Sequence, residues 1–283
     1  MNGRLKIALA MLIWGSVGIF ARFSGLSGLG VAFMRVALGS IVLWALSVSP
    51  GRTERLKAAF VGNWKAITAL GAALAFNWVF LFTAFNYTTI ANAVLVYYLA
   101  PIIATLISWR FLGEKINRRR SLLIGMAFGG FLLIASGQEF SLDSRDFIGV
   151  LLALVAAFFY ALIPNFGRFL KDVDGKDLTL LQLSTATLFL APFVAVSGLK
   201  EPTWWAIGAL VLLHTVLALY LYMDGLKEVE VNEAALLSYL DPLSAIVYAF
   251  IIFGEVPGAR TIIGGALILL ASALDAINRA RGP

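Results

Sequence analysis

The chain has 283 residues, of which 60% are hydrophobic and 13% charged, and its mean hydropathy is +0.89. Soluble domains are roughly a quarter charged, so a water-facing surface is excluded and a polytopic membrane protein with almost no soluble domain is implied. Zero cysteines exclude disulfides and thiolate metal sites, and the net charge of +6 is distributed as a topology signal, not as a nucleic-acid footprint.

About 20 apolar residues cross the ~30 Å hydrocarbon layer as a helix. The first such stretch, Leu5 to Phe23, opens near Arg4 and Lys6. No small-residue cleavage site with a soluble mature domain follows it, so it reads as a span and not as a signal peptide. Next come Leu29 to Val48, Trp64 to Phe85, Thr88 to Leu112 and Ser121 to Ser136. After a polar break the spans resume as Phe147 to Phe169, Leu178 to Ser197, Trp204 to Gly225, Asn232 to Phe253 and Ala259 to Ile277. The pattern predicts an all-α membrane protein of ten transmembrane helices. Turn formers separate them at Ser49-Pro50-Gly51, Gly113-Glu114-Lys115, Asp174-Gly175, Glu201-Pro202 and Pro257-Gly258.

With the N-terminus placed in the cytoplasm, the 22 Lys and Arg fall on that side except Arg22, Arg145, Lys200 and Arg260, with Arg35 inside a span. Positive charge near short loops is retained in the cytoplasm, so both termini are expected there. The run Arg118 to Arg120 then acts as a stop signal and a lipid-headgroup contact.

Asn92 to Glu114 and Asn232 to Glu255 are two versions of one segment. At a shift of 141 positions Ala93, Leu95, Tyr98, Leu99, Pro101, Ala104, Gly113 and Glu114 meet Ala234, Leu236, Tyr239, Leu240, Pro242, Ala245, Gly254 and Glu255. A second shift, of 146, aligns Phe20, Arg22 and Phe23 with Phe166, Arg168 and Phe169. The repeat unit is thus five spans, residues 1–137 and 147–277, and an odd number of crossings turns the second copy upside down. Inverted repeats build a site near the bilayer midplane that rocking exposes to either side, and the same duplication also suits a merely stable bundle.

A charged or strongly polar side chain in lipid costs about 2.5 to 3.5 kcal/mol on insertion scales, so it is expected to face the bundle interior. Arg35, Asn77, Asn165, Gln182, His214, Asp224 and Asp241 qualify. Asp241 directly precedes Pro242, whose missing N–H loosens the carbonyls of Leu237 and Ser238. Ser238, Asp241, Ala245 and Tyr248 share one face, which suits a cation, an ammonium group or a proton. In the alternative, Asp241 pairs with a buried donor such as His214 or Arg35 and pins the fold. Arg35 can hold a carboxylate or phosphate, or its stem can snorkel to the headgroups, and Gln182 occupies the matching place in the second half. His214, the one histidine, fits a hydrogen-bonded core residue or a proton carrier; no further ligands at metal-site spacing accompany it.

Aromatic residues recur at mid-span: Trp14, Trp78, Phe82, Tyr97, Tyr98, Tyr160, Tyr220, Tyr239 and Tyr248, as packing or as a pocket lining. Trp44, Trp64, Trp109, Trp204 and Trp205 sit near span ends, as interfacial belts do. Glu114 and Glu255 oppose the macrodipole of the helices they follow, so each asks for a partner such as a facing helix N-terminus. Gly125, Gly129 and Gly130 form a small-residue face suited to close helix approach, within the chain or in a homodimer. No P-loop, HExxH, GxSxG or cysteine nucleophile is present, so neither an enzyme nor an ATP-driven pump is expected from this chain alone.

The stretches LIWGSVGIFAR at 12–22, MRVALGSIVLW at 34–44, ANAVLVYYLAPIIATLISWRFLGEKI at 91–116 and LLSYLDPLSAIVYAFIIFGE at 236–255 resemble the EamA-type branch of the drug/metabolite transporter superfamily. The resemblance spans the chain and implies two inverted five-helix halves around a central cavity, in a secondary carrier that often exports amino acids or other metabolites. It places the family's Trp-Gly at Trp14-Gly15, its second-helix arginine at Arg35 and its kinks at Pro101 and Pro242. Asp241 departs from the small or apolar residue expected before the second proline, which favours a cationic substrate.

The expected function is therefore secondary transport of a small amphipathic metabolite, an amino acid or amine, outward across the cytoplasmic membrane of a prokaryote by alternating access. Trp14, Asn77, Trp78, Tyr97, Tyr160, Ser238 and Asp241 are the expected substrate contacts, followed by Arg35, His214, Tyr98 and Tyr239. No cofactor or metal is expected; the partners are the substrate, the lipid bilayer and H+ as a candidate coupling ion, in a monomer or homodimer. Import of a quaternary amine such as choline through an aromatic cage is the alternative within this class, and a non-transporting membrane scaffold the alternative outside it.

Overall fold

The computed structural model describes residues 2–46, 51–113, 116–137, 144–170, 172–226, 228–229, 233–234 and 237–280, and only the backbone at 112, 167–168 and 278–280. The described residues are helical or in short connections, with no strand among them. Eight stretches are long and apolar enough to cross a membrane, and Leu240–Phe253 is a shorter apolar helix. The remaining predicted span, Ser121 to Ser136, lies in the helix Arg118–Ala135, which opens with three arginines.

In chain order the helices are α1 Gly3–Gly15, α2 Val17–Phe23, α3 Gly28–Leu46, α4 Arg52–Tyr87, α5 Ile90–Tyr97, α6 Ala100–Leu112 and α7 Arg118–Ala135. They continue as α8 Arg145–Gly167, α9 Gly175–Ser197, α10 Trp204–Val211, α11 Ala218–Gly225, α12 Leu240–Phe253 and α13 Ala259–Ala280, with a π-helical turn, Leu212–Leu217, joining α10 to α11.

The predicted spans differ from these helices where the backbone loses a partner. The fourth is broken: Pro101 has no N–H for the Tyr97 carbonyl, so α5 ends at Tyr97 and α6 resumes at Ala100. The ninth behaves alike, with α12 starting at Leu240 beside Pro242, while Asn232 lies outside the described residues. The first breaks at Ser16, whose N–H and hydroxyl both donate to the Ile13 carbonyl. The third starts a dozen residues early, because Arg52 to Gly62 forms an additional helical arm that meets the span at Asn63 (φ −132°, ψ 22°).

Helix α4 lies along α8, α7 along α13, α3 between α4 and α9, and α1 against α11 and α12. Close approaches are made by glycine: a Cβ on Gly15 would overlap Ser244 and fall 2.8 Å from the Asp241 carbonyl oxygen. Of the small-residue face on α7, Gly130 meets the Gly264 backbone of α13, whereas Gly125 and Gly129 are exposed with nothing within 4 Å of an added Cβ.

Candidate functional site

Both kinks meet at Asp241. The Tyr98 hydroxyl, in the turn between α5 and α6, lies 3.0 Å from Asp241 Oδ2 and 3.1 Å from the Ser238 carbonyl, which loses its donor at Pro242 and accepts from the Asp241 N–H at 3.3 Å instead. One hydroxyl hydrogen serves both acceptors. The pairing of Asp241 with His214 or Arg35 is corrected accordingly: Tyr98 is its donor, because those two side chains are engaged elsewhere. The Tyr98 and Tyr239 rings lie 6.0 Å apart, and the Ser272 hydroxyl donates to the Tyr98 carbonyl.

Around this centre Tyr97 stacks on Tyr160 with centroids 5.0 Å apart, and Trp14 packs on Tyr222 at 5.3 Å. Tyr222 lies beside Ser238, and Tyr97 and Tyr160 lie near Asp241. Asn77 is fully buried behind Tyr97, accepting from its hydroxyl at 3.2 Å and donating to the Ala156 carbonyl at 2.8 Å, so it positions the ring instead of facing a ligand.

Two helices carry exposed residues here on faces that are otherwise packed. Tyr160 is 43% exposed although Ala153, Ala156 and Ala157 on the same arc of α8 are fully buried, and Pro164, one turn on, is exposed as well. Pro101 is exposed while Ala104, Thr105 and Ser108 on its face of α6 are buried. Two cavities, of about 610 Å3 beside Arg52, Asn63 and Asp177 and about 410 Å3 beside Asn92 and Arg260, lie away from Asp241 at the ends of the helices.

Arg35, Trp78 and His214 form a second cluster. The Arg35 guanidinium is buried, 4.0 Å above the Trp78 ring, and donates to Thr215 Oγ1 at 2.9 Å and the His214 carbonyl at 3.3 Å. It therefore does not snorkel. The π-helical turn exposes that carbonyl, which also accepts from the Trp14 indole at 2.7 Å. The His214 ring bridges Ser16 Oγ at 2.9 Å and the Ala209 carbonyl at 3.0 Å. Tyr220 is 65% exposed and, two residues before Tyr222, lies on the other side of its helix.

Sequence reasoning missed Tyr222, Thr215, Ser16 and Asp275. Asp275 is 2% exposed, accepts from Thr105 at 3.1 Å and pairs with Arg120 at 3.4 Å; its place near the end of the last span concealed it. At the same end of the bundle Lys6 pairs with Asp224 and Glu228, and its ammonium holds the Glu228 carboxyl below the usual range. Glu255 has the helix N-terminus it requires, accepting from the Ile90 N–H at 2.8 Å. Glu114 lies outside the described residues. No group of three His, Cys, Asp or Glu suited to a metal ion occurs among the described residues.

The two kinked helices thus meet at a polar centre inside an apolar bundle. The EamA-like transporter family matches residues 1–136 and 147–275. The chain belongs to that family, within the drug/metabolite transporter superfamily. It is 28% identical to the uncharacterized transporter YxxF of Bacillus subtilis (strain 168), over 97% of this chain and 89% of that protein. It is 26% identical to the uncharacterized inner membrane transporter YicL of Salmonella typhimurium, over 99% of this chain and 98% of that one. A crystal structure 22% identical in sequence has the same fold, with a TM-score of 0.63 over 99% of this chain and 97% of the other. The chain is a multi-pass helical membrane protein of a family of transporters, with the bilayer as its solvent and a small molecule as its cargo.

Proposed function

We propose that the chain is a secondary active transporter that moves a small amphipathic metabolite bearing a cationic nitrogen, an amino acid or amine, across the cytoplasmic membrane. Its two halves, residues 1–137 and 147–277, are inverted copies that rock about the recess at Asp241, and the direction is export. Asp241 carries this reading: it is a partly exposed carboxylate at the junction of both kinked helices, held by Tyr98 and surrounded by Trp14, Tyr97, Tyr160, Tyr222 and Tyr239. An ammonium group entering there meets Asp241 and the Ser238 carbonyl, while aromatic faces take the apolar remainder.

The aromatic enclosure also supports a second reading, uptake of a quaternary amine, which would engage the ring faces and use Asp241 only as a distant counter-charge. Thermal-shift measurements against amino acids, primary amines and choline separate the two, since a ligand of the folded state raises the melting temperature. Counterflow of the stabilising ligand in proteoliposomes is the expected confirmation. Absence of any saturable flux would instead support the scaffold reading.

A further inference from the structure

At the end of the bundle away from Lys6, one arginine is committed to three acceptors. Arg22, one residue before the end of α2, donates Nε to the Phe85 carbonyl at 2.7 Å and Nη2 to the Thr88 carbonyl at 2.8 Å, and pairs through Nη1 with Glu255. Its guanidinium also lies 5.0 Å from the centroid of Phe253. Glu255, just past α12, uses its other oxygen to accept from the N–H of Ile90, the first residue of α5.

Phe85 is in the last turn of α4, where carbonyls lack helical partners, and Ile90 is in the first turn of α5, where N–H groups lack them. The corner between α4 and α5 is thus closed by two side chains from elsewhere: one from the first half and one at the end of the helix that carries Asp241. The pair is largely shielded, with side chains 22% and 13% exposed. Beneath it Ile19, Phe85 and Ile90 are 2% exposed or less.

We propose that Arg22 and Glu255 form a latch that shuts this end of the recess, and that its release is the step that opens the recess to that side of the membrane. The proposal rests on the alternating-access reading. Any swing of α12 away from α2 and the α4–α5 corner has to break the ion pair and the Glu255–Ile90 bond together, so the latch ties access at this end to the position of Asp241. Because Arg22 is held by carbonyls and Glu255 by an amide, the two are not interchangeable. Exchanging them would turn a carboxylate toward two carbonyls and a guanidinium toward an N–H.

The chain has no native cysteine, so Ile19→Cys supplies a single thiol beneath the latch, and its labelling by a membrane-impermeant maleimide reports opening without any substrate. Labelling of that variant is expected to be slow. Adding Glu255→Gln or Arg22→Lys is expected to accelerate it about ten-fold or more, since each removes charge-assisted hydrogen bonds from a shielded site. The double exchange Arg22→Glu with Glu255→Arg is expected to stay fast. Labelling in the single variants as slow as in Ile19→Cys, or slow labelling in the exchange variant, overturns the latch. Should a latch variant fail to elute as a folded species, Arg22→Cys with Glu255→Cys and a reducible bifunctional thiol reagent gives the second arm. The closed link is expected to stop counterflow and its reduction to restore it; counterflow that persists when linked overturns the proposal. A protein that labels as expected but shows no counterflow with any solute would retain the latch and refute the carrier.

Discussion

The segments Tyr98-Leu99-Ala100-Pro101 and Tyr239-Leu240-Asp241-Pro242 are copies that share a backbone and differ in chemistry. In each a helix restarts just before the proline, and in each it ends on a left-handed glycine, Gly113 at φ 71° and Gly254 at φ 66°. Ala100 is 2% exposed and packed in the core, whereas Asp241 is partly exposed and bonded to Tyr98 of the other copy. Proline and glycine dictate the break wherever they occur, so duplication preserves it automatically. What distinguishes the halves is the single side chain placed on that shared frame.

The strongest way to break this comparison is to move the acid. Ala100→Asp combined with Asp241→Ala should lower the melting temperature markedly without restoring binding, because a carboxylate is forced into a packed position at about 2.5 to 3.5 kcal/mol. Differential scanning fluorimetry checks the first part and ligand-induced shifts the second; restored binding would mean that the halves are chemically equivalent. Next in size, Asp241→Asn keeps the shape and should weaken an ammonium ligand about 10- to 100-fold, the worth of a charge-assisted hydrogen bond. Unchanged affinity in titrations of a folded variant would make Asp241 structural.

Much of this frame is legible in the amino-acid order. The kinks follow from Pro101 and Pro242, the helix ends from Gly113 and Gly254, and Asp241 announces itself as an acid in mid-span. What is not legible depends on packing between distant elements. Tyr98 was one aromatic among nine until the fold brought its hydroxyl to Asp241, 143 positions away. The π-helical turn at Leu212–Leu217 has neither proline nor glycine to signal it, yet it frees the carbonyl that holds Trp14 and Arg35. Asn77 looked like a ligand contact because it is polar in an apolar span, and its partners on α5 and α8 were needed to place it behind Tyr97.

The comparison extends to the helices that brace the two copies. Gly15 of α1 touches α12 at Ser244 and Asp241, and the residue aligned with it at the shift of 146 is Ala161 of α8. The first-helix brace therefore needs a residue without a Cβ on the side where the acid sits, while its counterpart accommodates a methyl. Gly15→Ala should cost about 1 to 3 kcal/mol by overpacking, read as a lower melting temperature, and should displace Asp241 enough to weaken ligand binding as well. Wild-type stability in this variant would show that α1 and α12 are not held at this distance.

The smallest expected effect is the most discriminating. Tyr98→Phe removes a hydroxyl and no volume, leaving Asp241 Oδ2 and the Ser238 carbonyl without their shared donor. A bound ammonium can supply donors to both oxygens, so the loss in affinity should be modest, about five-fold for one net hydrogen bond of ~1 kcal/mol. Tyr239→Phe alters the copied residue, whose counterpart position carries Ala100 in place of an acid, and should change affinity less than Tyr98→Phe does. Paired isothermal titrations of the two variants check the order. No loss in either variant would show that both tyrosines act only through their rings, and the asymmetry between the halves would then rest on Asp241 without its donor.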